Sequence, residues 1–157
     1  MLVRQAKKAD YETLNNIYDQ VDILHRDQYP NRFRKPDNIG RPSEYYDSVL
    51  SNPDGILIVI ESDNIVIGFA EAYIRKAPDF PVLQPRKWLL IDGIAVDHNY
   101  RGKGAGQLLF DELMKYAKNV GIDEVELNVY SFNEAAIKFY RKNGFDNICK
   151  TMGRKLT

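Results

Sequence analysis

"LLIDGIAVDHNYRGKGAG", Leu89 to Gly106, is the stretch on which the reading of this chain turns. It begins as an apolar, β-rich run and ends in Gly102, Gly104 and Gly106, set two apart beside Arg101 and Lys103. The run from Lys87 to Val96 predicts a strand buried on both faces. Beyond the glycines, Leu109, Leu113, Tyr116, Ala117 and Val120 recur at helical spacing, and Gly121 is a natural stop. Glycines at a strand-to-helix joint either make a tight turn or let a ligand reach the unpaired N–H groups of the helix start. One glycine would suffice for the turn. Three, flanked by two cations, predict a phosphate cradle, because those N–H groups carry partial positive charge.

Two familiar phosphate loops fail here. A Walker A loop needs Ser or Thr after its lysine, and Lys103 is followed by Gly104. A dinucleotide fingerprint, G-x-G-x-x-G, would put its third glycine where Gln107 stands.

Working outward, Leu2 to Gln5 reads as a short first strand. Asp10 is a plausible N-cap for a helix carrying Leu14, Ile17, Tyr18, Val21 and Leu24. "HRDQYPNRFRKPDNIGRP", His25 to Pro42, has three prolines and a glycine and predicts a long irregular connection. "SEYYDSVL" reads as a short helix. "GILIVIES" and "IVIGFAEAYIRK" flank a turn and predict a β-hairpin. "EVELNVY", Glu124 to Tyr130, alternates as a strand. "NEAAIKFYRKNG" reads as a helix closed by Gly144, and "DNICKTMGRKL" as a terminal strand or hairpin. The order predicts an α/β (α+β) fold, a mixed, mostly antiparallel sheet with helices on both faces. The 157 residues fit one domain, 1–157.

The motif R-x-x-G-x-G is met by Arg101, Gly104 and Gly106, and here the sequence resembles the GNAT superfamily of acyl-CoA N-acyltransferases. "LLIDGIAVDHNYR" is similar to the family's central strand, and "NVYSFNEAAIKFYRKNGF" to its second conserved block. The resemblance implies direct transfer of an acetyl group from acetyl-CoA to an amine. It implies that Arg101, Gly102, Lys103, Gly104, Ala105 and Gly106 hold the CoA pyrophosphate. It implies that the backbone of Ile94, Ala95 and Val96 pairs with the pantetheine arm, so the central strand and the strand at Glu124 to Tyr130 must splay. Asn133 matches a residue that hydrogen-bonds near the pantetheine, and Tyr140 matches the usual general acid. Members of the family often dimerise, so a homodimer is an assembly that the resemblance allows.

The residues speak to the same chemistry. A lysine-like amine, with a pKa of about 10.4, costs about 4–5 kcal/mol to deprotonate at pH 7. A positioned base and a leaving-group acid lower the barrier. Tyr140 lies two helical turns after Asn133, on the same side. Asp92 interrupts an apolar run where a buried carboxylate is expensive unless paired or functional. Alternation puts it on the face of Val96. A family glutamate often matches this position as base; the shorter Asp92 reads either as that base or as a structural partner of a nearby Tyr or Arg. His25 and His98 read as surface or structural, and Cys149 as a small buried residue.

His25 to Pro42 holds five Arg/Lys against two Asp, and Arg75 to Lys87 four against one. Both expected walls of the acceptor site are basic. They suit an amine acceptor that also carries an anionic group, with Tyr29, Phe33, Tyr45 and Tyr46 as candidate lining. A non-catalytic acyl-CoA sensor or interaction module is the alternative class.

Composition excludes other classes. Lys plus Arg and Asp plus Glu both number 22, which argues against a nucleic-acid partner. One Cys and two His speak against a metal site. "MLVRQAKKAD" lacks a signal-peptide core, and no apolar run reaches a membrane span, so the expectation is a cytoplasmic protein without a membrane partner.

Overall fold

The computed structural model describes every residue from Met1 to Thr157. Strand β1 (Leu2–Gln5) is followed by α1 (Tyr11–Gln28), α2 (Ser43–Ser51), β2 (Gly55–Ser62), β3 (Ile65–Lys76), β4 (Lys87–Val96), α3 (Ala105–Asn119), β5 (Val125–Leu127) and α4 (Glu134–Lys142). One sheet takes the strands in chain order. The first three pairings are antiparallel and β4–β5 is parallel. A mixed, mostly antiparallel sheet with helices on both faces is what the sequence led us to expect.

The β2–β3 hairpin follows from its turn chemistry. Asp63 and Asn64 sit at φ 51° and 64°, a two-residue loop with the twist that a tight hairpin needs and that Asp and Asn tolerate. Strand alternation then sorts side chains into two cores. Ile56, Ile58, Ile60, Ala70, Ala72, Leu89 and Ile91 pack against Leu109 and Leu113 of α3. Leu57, Val59, Phe69 and Ala95 pack against Leu14, Ile17 and Tyr18 of α1 and Tyr46 and Val49 of α2. Leu14, Leu109 and Leu113 are wholly buried, each contributing about 1.5–3 kcal/mol by removal from water.

Several expectations need correction. Helix α1 continues through His25 to Gln28, because Pro30 is the first residue that cannot sustain it, so the irregular connection is shorter. Asp10 stands at the N-cap, but its carboxylate accepts from Arg4 at 2.8 Å and from the Lys7 amide at 2.7 Å. It closes the 3-10 turn before α1 and anchors β1. The strand expected at Glu124 to Tyr130 pairs only over Val125–Leu127. No terminal strand or hairpin forms: residues 146–157 have no regular structure, and Ile148 and Met152 are exposed. Cys149 is exposed rather than buried, for it lies on this tail.

Strand β4 is not buried uniformly on both faces. Glu71 lies opposite Gly93 and Ala72 opposite Ile91, so Asp92 is the extra residue of a β-bulge. The bulge flips the alternation. Leu89 and Ile91 before it and Ile94 and Val96 after it all pack on the α3 side, whereas Ala95 joins the α1/α2 core. Asp92 and Val96 therefore do not share a face, and Asp92 is exposed.

Candidate functional site

The glycine joint is an open bed of amides. Gly102 and Gly104 have φ of 76° and 85°, a left-handed conformation that β-carbons disfavour, and a Cβ at either would meet nothing within 4 Å. The first amide to donate into α3 is that of Leu108, to the Gly104 carbonyl at 3.1 Å. The amides from Gly102 through Gln107 find no acceptor in the protein. The bed is braced from both sides. Arg101 donates through Nε to the Val96 carbonyl at 2.9 Å. Asp97 accepts from the Asn99 amide at 2.9 Å and from the Gln20 side chain of α1 at 2.7 Å. Gln20 in turn accepts from the His98 amide, and the exposed His98 ring has no larger part. The Lys103 ammonium stands 5.4 Å from the Tyr100 ring centroid.

Next to this bed the sheet opens. Strands β4 and β5 pair at Leu89–Val125, Leu90–Glu126 and Ile91–Leu127, and no further. Strand β4 continues through the bulge to Val96, so the edge carrying Ile94, Ala95 and Val96 has no strand beside it on the β5 side. An unpaired edge is a template for an extended ligand. Helix α4 begins nearby. Asn133 is its N-cap and spends Oδ1 on the Ala136 amide at 3.2 Å, leaving its side-chain N–H groups free. Helix α4 is held to α3 by the Gln107–Asn143 amide pair at 2.8 and 3.2 Å and by the Phe110–Phe139 contact. Phe139 is thereby a packing residue.

Tyr140 sits half-buried with its ring between Phe139 and Phe145, at centroid separations of 5.3 and 5.6 Å. Burial pushes its phenol up to about 12, so the hydroxyl keeps its proton at neutral pH. It has no hydrogen-bond partner in the protein.

On the α1/α2 face of the bulge lies a cluster of carboxylates and tyrosines. Glu71 is 1% exposed. Its Oε2 accepts from the Tyr18 hydroxyl, and its Oε1 from Tyr73 and, at 3.3 Å, from Tyr45. Burial, followed by the charge of Glu71, raises the Tyr45 phenol to about 12 and the Tyr18 phenol further. The Arg41 guanidinium lies 4.1 Å from the Tyr18 ring centroid and clasps both oxygens of Asp22. Arg75 lies 5.0 Å from the Tyr73 ring centroid and has no carboxylate partner. Asp92 opens to solvent at the mouth, yet the atoms crowded around its carboxylate, and then Glu71, hold its pKa above the usual carboxylate value; Arg41 and Arg75 pull it back in part. Tyr46, a candidate lining residue, is instead core, donating to the Lys7 carbonyl at 2.7 Å.

Glu71 escaped the sequence reading. The signal was present: it interrupts "FAEAY" as Asp92 interrupts "LLIDGIAV". Beyond this cluster, the rings of His25, Tyr29 and Phe33 meet that of Tyr130 at centroid separations of 5.4, 5.2 and 5.7 Å, and Phe132 closes on His25 and Tyr29. The end of α1 thus forms an aromatic wall with the segment after β5, and His25 is part of that packing.

Comparison with known proteins places this geometry. The model of the Acetyltransferase (GNAT) family matches residues 18–145. The L-amino acid N-acetyltransferase AaaT of Escherichia coli (strain K12) is 27% identical over 150 residues, 93% of this chain and 83% of that protein. Among solved structures, a tetramutant of BH1408 from Bacillus halodurans superposes with a TM-score of 0.94 at 27% identity, covering 99% of this chain and all of that one. The aminoglycoside N-acetyltransferase AAC(6')-Iy, in complex with CoA, shares the fold at a TM-score of 0.71 and 18% identity, with 99% of each chain covered. An amide bed at a helix start, a split between two parallel strands and a matching family model converge, and the chain belongs to the GNAT acetyltransferase family.

Proposed function

We propose that this chain is an acetyl-CoA-dependent N-acetyltransferase whose acceptor is a small primary amine that also bears a carboxylate, an amino-acid-like molecule. The observation that carries the reading is the bulge. There an exposed carboxylate with raised proton affinity, Asp92, meets the unpaired edge of β4, with the unpartnered Arg75 further along the same face of the sheet. The L-amino acid acetyltransferase of E. coli supports the same class of acceptor.

In this reading the pyrophosphate lies on the amides of Gly102, Lys103, Gly104, Ala105 and Gly106, with Lys103 and the free end of Arg101 as counter-charge. The pantetheine fills the split as a short strand on Ile94, Ala95 and Val96, and the side-chain N–H of Asn133 donates to it. The acceptor's carboxylate pairs with Arg75, which sets its amine beside Asp92. Asp92 takes one proton from the acceptor's ammonium and passes it to solvent; the neutral nitrogen then attacks the thioester carbon, forming N–C, and gives its second proton to water. The C–S bond then breaks, and Tyr140 gives its proton to the thiolate and recovers one from solvent. The products are the N-acetylated acceptor and free CoA thiol.

A panel of amines assayed by thiol release tests the acceptor. Carboxylate-bearing amines are expected to exceed spermidine and kanamycin in kcat/KM, by up to about fivefold from the pair to the exposed Arg75, which is worth about 0–1 kcal/mol. Robust turnover of spermidine with none on any acidic amine overturns the acceptor class and leaves the family untouched. The cradle is tested by heat. Saturating CoA adds RT ln(1 + [L]/Kd) to stability, about 2.7 kcal/mol at a hundredfold excess over Kd, so Tm rises. Gly104→Val puts a branched side chain into the open bed at φ 85°. It is expected to cost about 1–3 kcal/mol in backbone strain and to abolish the CoA-dependent rise. A preserved rise sinks the pyrophosphate assignment.

A further inference from the structure

We propose that Glu71, held by three tyrosine hydroxyls across the bulge, is a positioning residue that acts on the chemistry through its neighbour Asp92. The inference rests on the reading of Asp92 as the base. Glu71 lies opposite Gly93 in the β3–β4 ladder, beside the extra residue Asp92, and both carboxylates are on the α1/α2 face. Their surroundings are unequal. Glu71 is buried and is met by donors alone, the hydroxyls of Tyr18, Tyr45 and Tyr73. Asp92 accepts no hydrogen bond from the protein. A carboxylate across the ladder favours the protonated form of its neighbour, and the effect falls on the partner with fewer donors. That partner is Asp92, the one open to the acceptor.

The other charged and titratable groups facing the pair bear this out. Helix α1 presents Tyr18 and Asp22, the connection before α2 presents Arg41, α2 presents Tyr45, and β3 presents Tyr73 and Arg75. Arg41 is matched by Asp22 on both oxygens, so its charge reaches the pair already partnered. Arg75 is exposed and screened by water. Glu71 is thus the dominant charge at Asp92, second only to burial in raising its pKa.

The test titrates the Asp92 carboxyl by carbon NMR in the full chain with saturating CoA, which favours the folded state of every variant. It is paired with kcat/KM–pH profiles for two carboxylate-bearing amines of different amine pKa, so that a limb common to both belongs to the protein. Glu71→Gln, which keeps shape and removes charge, is expected to lower the Asp92 midpoint and the shared acid limb by about one pH unit. Glu71→Asp, which keeps the charge, is expected to stay close to wild type. Both variants losing stability while the midpoint stays put overturns the proposal and leaves Glu71 a structural residue. A midpoint that falls in Glu71→Gln while Asp92→Asn turns over normally keeps the coupling and removes Asp92 as base.

Discussion

Tyr140→Phe is expected to lower kcat by roughly 10²–10⁴-fold, the range of acid–base catalysis, and to leave CoA affinity and Tm nearly unchanged. The division follows from how the side chain is held. Its ring is wedged between Phe139 and Phe145, and phenylalanine fills the same volume. Its hydroxyl has no protein partner, so removing it orphans no buried group, and the stability change should stay within about 0.5 kcal/mol. All of the loss then belongs to the proton that the phenol supplies to the departing thiolate. With the phenol at about 12, that proton is present across the neutral range, so Tyr140 contributes no limb to the pH profile there. Near-wild-type turnover by the variant, measured beside a CoA thermal shift, would falsify the acid role and leave water or the substrate as donor.

Asp92→Asn is expected to act through pH. The deficit in kcat/KM should be greatest well below the acceptor's amine pKa, where almost every amine holds its proton, and reach about 10²-fold or more there. It should shrink as pH approaches that pKa, because the neutral amine then needs no base. Stability should move the other way. The carboxyl of Asp92 has a higher pKa folded than unfolded, so the folded state binds the extra proton. Native stability is therefore greatest below the unfolded value and falls as pH rises through the folded one. Asn removes that penalty, and Tm at pH 7 should hold or rise as the rate drops. A structural Asp92 gives the opposite pattern: lost Tm and a rate defect flat with pH.

Local chemistry made much of this readable beforehand. The glycine joint, the hairpin turn and the helical stripes of α1 and α3 are properties of a few adjacent residues, and such signals survive in the fold. What could not be read depends on partners distant in the chain. Apart from Asp92, "LLIDGIAV" is apolar on both faces, so nothing in its pattern betrays the bulge that reverses its parity, and the shared face that alternation predicts for Asp92 and Val96 does not hold. "EVELNVY" has the alternation of a strand, but pairing requires a neighbour, and the β4–β5 ladder ends at Ile91 and Leu127. "DNICKTMGRKL" has the same defect at the chain's end. For the site, the bed of amides at Gly102 to Gly106 and the residue types at 92 and 140 were visible. The tyrosines gathered on Glu71 come from α1, α2 and β3, and no spacing rule joins positions 18, 45, 71 and 73.

The bulge has a meaning in the history of such a sheet. Without Asp92, Ile91 and Gly93 would become neighbours in the chain and face Ala72 and Glu71 in an unbroken ladder, with every later side chain still on its present face. The strand is built as though one residue had been inserted into a finished sheet. That residue brings a carboxylate, and it bends the strand at the step where pairing with β5 ends. One extra residue in β4 thus stands a carboxylate at the step where the parallel pair β4–β5 parts.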